Sequence, residues 1–321
     1  MNWLRRGWLA AIACAVVVAG GSALVMRFDQ LDPGPTISPV TYGHALALHG
    51  LLAMAVLAGA LLAIPSFVVR PSRTSVVLGA LALALWAAAI VPLGALAVRD
   101  AQEWGGHSPQ QLLLVLAASL ALGAAQLAVS LPATAGPQRI AAVGSLASLA
   151  IVVTPLVGRD LPTAFYWLLA TTAIACALVP DAIPRIGRSF ALLAIAPCLV
   201  LAWIATAAVH SVHTGYFHDT LGVLSPLPLT GGALLGALII AATRTRSPHR
   251  RLAQIAAVLI NTGASLTSVG FYLLGSRGMP RRYLAYLPEL QSLQLLVGLA
   301  AVIAAVGCIT ALEAFRRGDD R

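Results

Sequence analysis

Lysine is absent from the 321-residue chain, and all 20 basic residues are arginine. Acidic residues number only 11, and charged residues of both signs make up 10% of the composition. So few charges cannot cover the surface of a water-soluble domain, which excludes a soluble enzyme and a charge-rich disordered chain. Cysteine is scarce too. Cys14, Cys176, Cys198 and Cys308 show no C-x-x-C spacing and lie inside apolar runs. That excludes a disulfide scaffold and reads the four as small apolar packing residues.

Apolar sequence is what the chain has in abundance. Hydrophobic residues are 59% of it, and the mean hydropathy is +0.89. They come in runs about as long as a bilayer is thick. Ten candidate spans follow: 8–26, 44–69, 75–98, 111–131, 140–157, 165–179, 190–209, 221–242, 252–274 and 290–312. Helix is the expected conformation, because backbone groups in lipid must be satisfied within their own segment. The expected fold is an all-α polytopic transmembrane bundle forming a single integral membrane domain over 1–321. The first run follows two arginines, as in a signal peptide. It is long enough to span, however, and no small-x-small cleavage motif precedes Arg27, so it reads as the first span.

The arginines orient this map. With the N-terminus in the cytoplasm, Arg27, Arg99, Arg159, Arg277, Arg281 and Arg282 fall outside and the other fourteen inside. The bias supports ten spans with both termini cytoplasmic. A lysine-free, alanine-rich composition suggests a GC-rich bacterial genome, and hence the bacterial inner membrane. The net charge of +9 is spread over short loops and makes no basic face for nucleic acid. Internal repeats and mid-span Asp, Glu or Arg are lacking, which argues against an ion-coupled transporter.

Histidines are then the intramembrane candidates. His107 and His249 fall in loops. His44 and His49 lie in the outer part of the second span, five residues apart and so on different faces. A histidine in lipid needs partners for its ring nitrogens. For His49 this means either a helix–helix hydrogen bond or axial ligation of haem iron. His210, His213 and His218 cluster in HSVHTGYFHD, with His210 and His213 on one helix face. With Asp219 they read either as an interfacial polar cluster or as a copper or zinc site. Arg281 and Arg282 in GMPRRYLAYLPEL read either as a capped turn, with Gly278 and Pro280 as turn formers, or as a carboxylate site.

Five stretches together resemble subunit I of the haem–copper oxidases, the B-type branch more than the A-type. They are GSALVMRFDQLDPGP, TYGHALALHGLLAM, FYWLLATTAIACALVP, VHSVHTGYFHDTLGVLSPLPL and GMPRRYLAYLPEL. The second and last are the most specific. The resemblance implies that His49 is an axial ligand of a low-spin haem and that Arg281 and Arg282 meet its propionates. The departures matter as much. In the family's W-x-x-G-H-P-x-V-Y helix, the copper-binding His falls here on Thr171 and the Tyr on about Ala175. The adjacent His-His pair becomes His210-Ser211-Val212-His213, and the H-x-H helix is missing, as are two of the family's roughly twelve spans.

The resemblance therefore implies an oxidase-like membrane component with one haem and no independent oxygen reduction. The expected partner is a copper-bearing subunit II-like protein or a cytochrome. Two alternatives stay open: a haem-free docking subunit, and an outer-face copper-handling assembly factor that uses His210, His213 and His218.

Overall fold

The computed structural model describes residues 2–29, 37–68, 72–99, 125–126, 143, 195–207, 220–242, 250–279 and 288–317. These are helical apart from short turns and caps. In chain order the helices are α1 (Asn2–Asp29), α2 (Pro39–Val68), α3 (Arg73–Arg99), α4 (Ile195–Ala207), α5 (Pro226–Ala242), α6 (Arg250–Ser276) and α7 (Gln291–Arg317). At a rise of about 1.5 Å per residue, 27 to 30 residues make rods of about 40–45 Å, longer than a hydrocarbon core of about 30 Å. Expected spans were delimited by hydropathy alone. α1, α3 and α6 overrun their expected spans at both ends, α2 at its start and α7 at its end, to Arg317, because a helix can continue through polar residues that hydropathy leaves out.

The all-α expectation holds for the described residues, but the count of ten spans does not follow from them. Three helical stretches among them, Trp3–Arg27, Arg251–Ser276 and Pro288–Ala314, are long and apolar enough to cross a membrane. Shorter apolar stretches run over Arg73–Ala88, Ile195–Ala207 and Pro226–Ile239. The expected spans 111–131, 140–157 and 165–179 lie outside the described residues, save for 125, 126 and 143. The expected start of the eighth span at 221 is corrected. Leu221–Leu224 is a 3₁₀ turn, and the α-helix begins at Pro226, where a missing N–H costs nothing and φ is preset.

Local chemistry sets the helix ends. The Ser38 hydroxyl accepts from the Thr41 N–H at 3.1 Å and stands before Pro39, the first residue of α2. Ser72 does the same for Ser75 ahead of α3, also at 3.1 Å. Both are N-caps that satisfy an orphan donor of the first turn. Arg5 Nε donates to the Ser66 carbonyl at 2.9 Å, which caps the C-terminal end of α2 with a cation. At the other end of α1, the Asp29 carboxylate accepts from the Ile37 N–H at 2.8 Å, closing the α1–α2 connection. After α6, Gly278 takes φ +75°. Its N–H donates to Gly275 O at 2.9 Å, and that of Met279 to Leu274 O at 3.0 Å. This is a Schellman ending, and buried Met279 and Leu274 make its apolar contact.

One apolar cluster runs through α1, α2, α3, α4 and α5 to Ala257 of α6, and two stretches of the packing show how the helices meet. In the first, α1, α2 and α3 close over Trp8 and Trp86, whose rings are 5.8 Å apart and tilted by 52°. In the second, α5, α6 and α7 pack through small residues. A Cβ on Gly263 of α6 would stand 2.6 Å from the Ala300 carbonyl of α7, so the two backbones touch there. Lipid tails are as apolar as leucine, so close backbone approach and dispersion hold membrane helices together. α2 meets α5 and α7 meets α1, so both sets of helices belong to one packed body among the described residues.

Candidate functional site

His49 is the only one of the six expected site residues that lies among the described residues. It sits on α2, half-buried, facing α1. Its Nδ1 is 3.0 Å from the Ala19 carbonyl. A carbonyl oxygen only accepts, so Nδ1 donates, and in the neutral ring the lone pair then belongs to Nε2. No hydrogen bond to Nε2 is made among the described residues. The expected helix–helix hydrogen bond is thus present, and it uses one nitrogen only. Beside Ala19, a side chain on Gly20 or Gly21 would meet nothing within 4 Å. The imidazole is anchored on one side next to backbone that carries no side chain.

His44 lies five residues, or about 140°, round α2 from His49. Among the described residues no three His, Cys, Asp or Glu side chains converge on a metal-sized site. His210, His213 and His218, with Arg281 and Arg282, fall outside the described residues. Their nearest described neighbours do meet: the Leu221 N–H donates to the Met279 carbonyl at 3.0 Å. The turn expected at Gly278 is the Schellman ending of α6.

The contacts of three residues, Arg27, Asn261 and Cys198, are not legible in the sequence. Arg27 was assigned to an outside loop, whereas it belongs to the last turn of α1. Its Nη1 donates to Gln294 Oε1 of α7 at 2.9 Å, and its guanidinium lies 5.2 Å above the Phe271 ring of α6. Asn261 of α6 is buried, and its amide donates to the Ala257 carbonyl at 2.8 Å. The Cys198 thiol of α4 reaches both the Asn261 carbonyl and the Ser265 hydroxyl at 3.1 Å. The available signal was a polar residue inside an apolar run, as in LINTGASL and ELQSLQLL. Cys198 and Cys308 pack against apolar clusters as expected, while Cys14 is exposed and Cys176 lies outside the described residues. No protein-family model and no curated protein matches the chain.

Proposed function

We propose that this chain is a subunit I-like membrane component of a haem–copper oxidase-type complex, holding one haem for electron transfer through His49. The observation that carries the reading is the Nδ1–Ala19 hydrogen bond, 3.0 Å long. A ligating histidine needs its distal ring N–H held by a carbonyl or carboxylate, which fixes the tautomer and aims the other nitrogen. His49 meets that requirement, with Nε2 as the donor to iron. When bound, the haem supplies a one-electron couple whose potential follows its axial ligands and surroundings. The chain's part is to hold the imidazole neutral and oriented and to keep the site in low dielectric. In this proposal Arg281 and Arg282 hold the propionates, and a second ligand comes from His210, His213 or a partner chain. That partner is a subunit II-like copper protein or a cytochrome. Oxygen reduction by this chain alone is no part of the proposal.

Purified protein should show a Soret band and a reduced-minus-oxidised haem spectrum, and His49→Ala should remove or shift both. Protein without a Soret band would contradict the reading. A second reading draws on the same bond, because a purely structural histidine makes it too. In that case the chain is a haem-free docking subunit, which co-purifies with a redox partner and contains no iron. Copper handling at His210, His213 and His218 is tested separately, by the copper content of His210→Ala and His213→Ala protein.

A further inference from the structure

We draw no further inference here: the strongest candidate, the apolar crevice bounded by α1, α5, α6 and α7 and lined by Ile12, Val16, Leu238, Ile260, Cys308 and Leu312 among others, carries none, because nothing in the structure shows what covers it.

Discussion

At the scale of single residues, His49 carries two separable contributions. One is the hydrogen bond from Nδ1 to Ala19 O, which ties α2 to α1 and is worth about 0.5–1.5 kcal/mol net. The other, under the proposed function, is Nε2 on iron. His49→Gly should lose haem, and added imidazole should restore part of the Soret band, since the free ligand replaces the ring but not its tether. A variant whose spectrum matches wild type would assign His49 to the tether alone. Gly263 offers a different residue-level test. A side chain there meets the α7 backbone within 3 Å, so Gly263→Leu should destabilise by about 1–3 kcal/mol through overpacking. Chemical unfolding in detergent would read this as a lower midpoint. Gly298→Leu, which faces open space, should leave the midpoint where it is.

At the scale of elements, much was legible in the sequence. Apolar runs bounded by Arg, Pro, Ser and Gly located the described helices, because lipid leaves the backbone no alternative to helix. Gly278 marked a turn, and it ends α6; the start of α5 was placed at 221, five residues before the helix begins at Pro226. The Arg27–Gln294 bond was not legible. It joins residues 267 apart in sequence, and nothing in helical periodicity says which helix lies opposite which. The same holds for Ala19, whose part in the His49 site rests on a main-chain oxygen that no side-chain pattern reveals. The Schellman ending of α6 makes an element-level prediction. Gly278→Ala must hold a Cβ at φ +75° and should cost about 1 kcal/mol, measured as a lower thermal midpoint. An unchanged midpoint would mean that the turn is not formed as described.

At the scale of the whole molecule, we propose from the arginine distribution one orientation, ten spans with both termini inside. Thr74 near the start of α3 and Arg277 after α6 are both exposed, and the arginine map puts them on opposite sides of the membrane. Thr74→Cys should therefore react with an impermeant maleimide only after permeabilisation, and Arg277→Cys in intact cells. Labelling of both from the same side would break the ten-span, both-termini-inside proposal. The C-terminal ends of α1 and α6 and the N-terminal end of α7 come together, where Arg27 and Gln294 meet; in the proposed orientation these are outer ends, above the level of Ala19 and His49. The account of the chain as an electron-carrying membrane subunit depends on a porphyrin at that depth. Its most direct test is the haem-to-protein ratio of purified full-length protein, measured as pyridine haemochrome, for wild type and His49→Ala. The account predicts a ratio near one that falls to near zero in the variant. A wild-type ratio near zero, or an equal ratio in both proteins, would contradict it.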